Sequence, residues 1–136
     1  MRTFIKSTVL VALFALLFTG CHKFEDGPSF SLLSVKARVS GDWTITSATY
    51  AGTDVTSLWQ AAIGTLKIEK SGSYSESGAA QESGTWRLGE DKDDIFFTPN
   101  TGSTVNIWRI LRCKNKEMWL RQTQSNGDYT ILKMKQ

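Results

Sequence analysis

From residue 42 to the C-terminus, apolar and polar side chains alternate with a period of two. Trp43, Ile45 and Ser47 alternate with Thr44, Thr46 and Ala48; Leu66 and Ile68 with Lys67 and Glu69; Trp86 and Leu88 with Thr85 and Arg87. That alternation predicts half-buried antiparallel strands, and turn residues divide it into eight runs: 42–50, 64–70, 72–77, 83–88, 93–98, 104–113, 116–122 and 128–135. Asn126-Gly127 is the sharpest hairpin marker, since both residues accept the positive φ of a type I′ turn. Short loops leave no room for parallel crossovers. Only the first connection, 51–63, is long, and its Asp54 or Thr56 would cap a helical turn. Ahead of the strands, Leu32, Val35, Lys36 and Val39 recur at three-to-four spacing before Gly41, which predicts one short amphipathic helix within 29–39. Eight consecutive antiparallel strands form an up-and-down meander, and closing it into a barrel removes the exposed edges.

The N-terminal segment has a different pattern. Arg2 and Lys6 precede an apolar run, Thr8 to Phe18, too short for a comfortable membrane span, and Thr19-Gly20-Cys21 follows. This order predicts a secretory signal over 1–20. The small residues before Cys21 resemble the lipobox of bacterial lipoproteins, with Phe18 standing where that family prefers Leu. The resemblance implies cleavage before Cys21 and acylation of both its thiol and its new amine; two or more acyl chains anchor stably. Residues 21–28 then read as a polar tether ending at Gly27-Pro28, and 29–136 as the folded domain. His22 is not the Asp that resembles an inner-membrane retention signal, so the expected place is the outer membrane of a cell envelope, on its periplasmic face or at the cell surface.

The body carries a second resemblance. Gly41-Asp42-Trp43 opens the first strand after a short helix and before a long loop, as the Gly-x-Trp signature does in lipocalins and other calycins. Together with Gly72-x-Tyr74, Gly84-Thr85-Trp86, Ile95-x-Phe97 and Trp108-x-Ile110, it is similar to the lipocalin-like domain of Bacteroidota lipoproteins. The expected fold is therefore all-β: an eight-stranded antiparallel up-and-down, lipocalin-like barrel with a short N-terminal helix. Gly41, Trp43 and Trp86 are its structural signature. Fold transfers on such motifs better than function does.

Composition narrows the chemistry. Two of the 16 basic side chains, Arg2 and Lys6, lie in the segment to be removed, leaving 14 against 13 acidic ones. A near-neutral body has no electrostatic footprint for nucleic acid. The single histidine, His22, lies beside the predicted anchor, so a Ser-His, Cys-His or His-ligated metal site within the barrel lacks its parts. No enzyme, metal or cofactor is expected. With Cys21 acylated, Cys113 has no disulfide partner and reads as a small packing residue. Glu90, Asp91, Asp93 and Asp94 crowd one hairpin, but Ile95 stands where a calcium loop needs Gly, so a solvated turn is the better reading.

Binding residues are the remaining candidates. Arg109 shares parity with Ile107 and Leu111, and Lys133 with Tyr129 and Ile131. If those faces point inward, two cations would meet a ligand carboxylate. Otherwise Arg109 stacks on Trp43 or a bulge turns it outward. Trp59, in the long loop, would plug the barrel mouth or line its entrance, and Tyr74 is a further lining candidate. Trp108 and Trp119 make both faces of the sixth and seventh runs partly apolar, so the outer face needs a cover, either the helix or a partner protein. The expected function is a lipid-anchored binder of a small apolar or acidic amphipathic ligand. The alternative is a non-catalytic accessory lipoprotein with a filled barrel that binds protein or glycan outside. Ser71-Gly72-Ser73-Tyr74 also resembles part of a lysozyme-inhibitor motif, but Arg87-Leu88 departs from the Lys-Gly expected after its Trp. An interior cavity of at least ~300 Å³ would favour the carrier over the filled scaffold.

Overall fold

A computed structural model describes residues 32–102, 104–114 and 116–136; the expected signal over 1–20, Cys21 and the expected tether over 21–28 lie outside the described residues. The chain forms a short helix α1 (Val35–Val39), then β1 (Gly41–Tyr50), a two-residue β2 (Thr53–Asp54), α2 (Thr56–Ile63), β3 (Thr65–Ile68) and β4 (Ser73–Glu76). Five further strands follow: β5 (Ser83–Leu88), β6 (Asp94–Pro99), β7 (Asn106–Lys114), β8 (Glu117–Thr123) and β9 (Tyr129–Lys135). Each strand from β3 to β8 pairs antiparallel with the next, β1 pairs with β3, and β1 also pairs with β9. The result is a closed eight-stranded antiparallel barrel preceded by a helix, a lipocalin- or calycin-like architecture in general form, with β2 a small hairpin appended to β1.

Registers assign the two ends. Gly41 lies opposite Ile68, and Cys113 opposite Met118, at the base; Tyr50 lies opposite Thr130, and Gln122 opposite Thr130 on the other side, at the mouth. Helix α1 covers the base. Ser34 caps it by accepting from the Ala37 amide at 3.1 Å, and the Trp43 indole N–H donates to the Val39 carbonyl at 2.8 Å, tying helix to first strand. Gly41 joins them at φ +148°, a conformation that side chains rarely tolerate. Trp43, Val39, Ile68, Ile95, Cys113 and Met118 are almost fully buried there.

Two bulges shift the expected faces. The β1–β9 register slips between Ile45 and Ser47, so Ala48 rather than Ser47 turns into the core. A second slip, between Ile110 and Arg112, changes phase in β7. Trp108 and Ile110 consequently face inward with Met118 and Leu120, whereas Ile107 and Arg109 are exposed. The 124–128 hairpin forms where expected but with another turn: Gly127 alone takes positive φ, +91°, while the Gly127 amide donates to the Gln124 carbonyl. The Asn126 side-chain oxygen accepts from the Asp128 amide at 3.0 Å, which stabilises this bulged loop in place of a type I′ turn.

Candidate functional site

Above the packed base, the mouth half encloses a cavity of about 220 Å³. Its apolar wall comes from inward positions of the strands, including Leu66, Phe97, Trp108, Leu120 and Leu132. Tyr74 and Phe97 meet edge-to-face with centroids 4.9 Å apart. The roof is α2. Asp54 opens it, its Oδ1 accepting from the Thr56 amide at 2.8 Å and the Thr56 hydroxyl at 2.6 Å, so the predicted helical turn grows to eight residues. These bonds hold the Asp54 carboxyl below its ordinary range.

Both ends of α2 are fastened to the barrel. Near its start, the Thr56 hydroxyl accepts from the Ala48 amide, and Gln60 Nε2 donates to the Ile45 carbonyl at 2.8 Å. At its end, the amides of Gly78, Ala79 and Ala80 donate to the carbonyls of Ile63, Ala61 and Ala62. The β4–β5 loop thus satisfies the helix's otherwise open C-terminal carbonyls. Gly78 is needed for that approach, because a Cβ there would lie 2.3 Å from the Ala62 carbonyl oxygen. The roof carries Trp59 over the cavity, edge-on to Trp108 with centroids 5.8 Å apart.

The polar lining is acidic. Glu76 shares the inward face of β4 with Tyr74, and Glu82 lies across from it, the Glu76 amide donating to the Glu82 carbonyl at 2.8 Å. Tyr74 donates its hydroxyl to Glu82 Oε1 at 2.7 Å. Burial, then that carboxylate, push the Tyr74 phenol well above its ordinary value, so it stays protonated and serves as a donor. Burial, reinforced by Glu82, raises the Glu76 carboxyl to about 7. Asn106 and Gln122 complete the polar lining, and no Lys or Arg lies among the lining residues.

Sequence expectations about this site divide. Trp59 and Tyr74 both line the cavity. Arg109 does not point into it: its side chain is 51% exposed and ion-paired with Asp93 and Asp94 at 3.8 and 3.9 Å. Lys133 also lies on the outer face, its ammonium 4.0 Å from the Trp119 ring centroid. The predicted pair of interior cations is therefore replaced by a pair of interior carboxylates. Neither does Arg109 cap Trp43. The buried cation at the base is Arg38 of α1, which donates to the Cys113 carbonyl at 2.5 Å. Cys113 is buried, and desolvation raises its thiol to about 11, in keeping with a packing role. Trp86 anchors lower down, donating to the Glu69 carbonyl at 2.7 Å.

On the outer face, Trp119 is covered by its own neighbours, with Arg112 at 4.9 Å and Lys133 at 4.0 Å from the ring and Glu117 accepting its N–H. The acidic hairpin is a turn closed by the Gly89 amide on the Asp94 carbonyl. Among the described residues, no group of three or more His, Cys, Asp or Glu is placed to hold a metal. Glu76 and Glu82 escaped sequence reasoning. Their signal is the continuation of inward parity from Tyr74 to Glu76 and from Gly84 back to Glu82 across one hairpin. No protein-family model matches the chain, and no curated protein matches it significantly.

Proposed function

We propose that this protein is a lipid-anchored lipocalin-like carrier of the bacterial cell envelope, holding a small apolar or amphipathic molecule in the mouth half of its barrel. The cavity of about 220 Å³ between Trp59, Phe97 and Trp108 carries this reading. A void of roughly 150 Å³ lined by apolar side chains already accepts a single benzene ring. The sequence of the N-terminal segment supports acylation at Cys21 and an outer-membrane address, and the barrel signature supports the lipocalin-like domain of Bacteroidota lipoproteins. Native mass spectrometry of the protein purified from cells tests the carrier reading: a co-purified small molecule lost on denaturation supports it, and a clean apo mass counts against it. Metabolic labelling with a fatty-acid analogue tests the anchor. Label on the native chain and none on Cys21→Ser is expected; equal labelling of both refutes acylation at that residue.

The second reading, a non-catalytic scaffold working through its outer face, has one observation in its favour. The cavity is smaller than the ~300 Å³ at which ordinary small-molecule sites begin, because Trp43 and Trp86 already fill the base. Such a scaffold would use the β7–β8 surface around Ile107 and Trp119, and the native-mass experiment separates the two.

A further inference from the structure

The cavity's charged groups are all carboxylates, and they are placed where a ligand's polar end would sit. Glu76 and Glu82 are cross-strand neighbours on the inner wall at the mouth, a like-charged arrangement that destabilises an antiparallel pair unless something intervenes. Glu82 has the Tyr74 hydroxyl. Among the described residues, no side chain donates to the Glu76 carboxylate and no cation pairs with it. A half-buried carboxylate beside a second one, against aromatic walls, is short of a positive partner. The interior opposite offers apolar and aromatic surface from Trp59, Phe97, Trp108 and Leu120, with the neutral amides of Asn106 and Gln122 beside it and no cation.

We propose that the cavity selects a small apolar amine, its ring or short chain against Trp59, Phe97 and Trp108 and its ammonium donating to Glu76 and Glu82. This rests on the carrier reading and narrows it to one ligand charge. An ammonium has three donors, enough to bond both carboxylates at once. An acidic amphiphile would bring a third negative charge into the same pocket, and a neutral alcohol would leave Glu76 without a countercharge.

The experiment is calorimetric titration of the full chain in phosphatidylcholine nanodiscs, at mildly alkaline pH, with phenethylamine, phenethyl alcohol and phenylpropionate. Phenethylamine should bind at least about tenfold more tightly than the alcohol, as one charge-assisted contact implies, and phenylpropionate most weakly. Combining Glu76→Gln with Glu82→Gln should bring amine and alcohol to within about threefold of each other. Equal affinity for amine and alcohol in the native chain, or a preference that survives both substitutions, overturns amine selection and leaves the carrier reading standing. If none of the three titrates, the carrier reading falls and this one with it. Should the double variant not fold, Glu76→Gln alone, judged against the native series, decides the point.

Discussion

The two halves of this barrel are built from the same eight strands and have opposite contents. At the base, inward positions carry Trp43, Trp86, Ile95, Cys113 and Met118, sealed by α1 through Arg38 and the Trp43–Val39 hydrogen bond. At the mouth they carry Tyr74, Glu76, Glu82, Asn106 and Gln122, roofed by α2. Large side chains fill the first half, whereas the second keeps a cavity and two carboxylates that oppose each other. Close packing is concentrated at one end and the acid-lined cavity at the other, a division available to a barrel because both ends share one continuous hydrogen-bonded wall.

The largest effect is expected from Trp43→Ala. Removing a buried large aromatic from the base should cost roughly 3–5 kcal/mol in denaturant unfolding. A loss below about 1 kcal/mol would mean that the base does not hold the barrel together. Next comes Arg38→Leu, which leaves the buried Cys113 carbonyl without its donor; a loss of about 2 kcal/mol is expected.

Mouth substitutions should behave differently, even with the opposite sign. Between the ordinary 4.5 and about 7, the folded chain retains a proton on Glu76 that the unfolded chain releases. Its contribution to stability is therefore full below that window and is lost as pH rises through it. Glu76→Gln removes this loss, so the variant should be more stable than the native chain above pH ~7 by something on the order of 1 kcal/mol after solvent screening, with the gap closing towards pH ~4. Thermal unfolding across that range checks it; a gap that is constant with pH would show that Glu76 titrates normally.

The smallest effect should come from Arg109→Leu. Its ion pairs with Asp93 and Asp94 are long, at 3.8 and 3.9 Å, and its guanidinium is half-exposed, so stability should change by no more than about 0.5 kcal/mol, and affinity for any barrel ligand should not change. A loss of ligand binding in that variant would place charge recognition outside the mouth.

Local periodicity was enough to read eight strands, their antiparallel order and the short helix ahead of them, because a half-buried strand writes its inner face into every second residue. The Gly41-Asp42-Trp43 opening and the helix-forming stretch after Asp54 were legible for the same reason: the interactions that form them are local. Which face of β7 turns inward was not local. Ile107, Arg109 and Leu111 compete there with Trp108 and Ile110, and the pairing of Ile110 with Leu120, together with the slip beyond it, assigned the core to the second set. A one-residue bulge reverses every side chain after it at little cost in ladder bonds, so parity counted along one strand cannot fix the interior of a barrel. The acidic mouth was hidden for a related reason. Glu76 and Glu82 become one electrostatic unit only when β4 and β5 pair, and the tertiary roof of α2 then withdraws them from water. The wall of the barrel is written in local alternation, whereas the charge of what it encloses arises only from strand pairing and the helical roof.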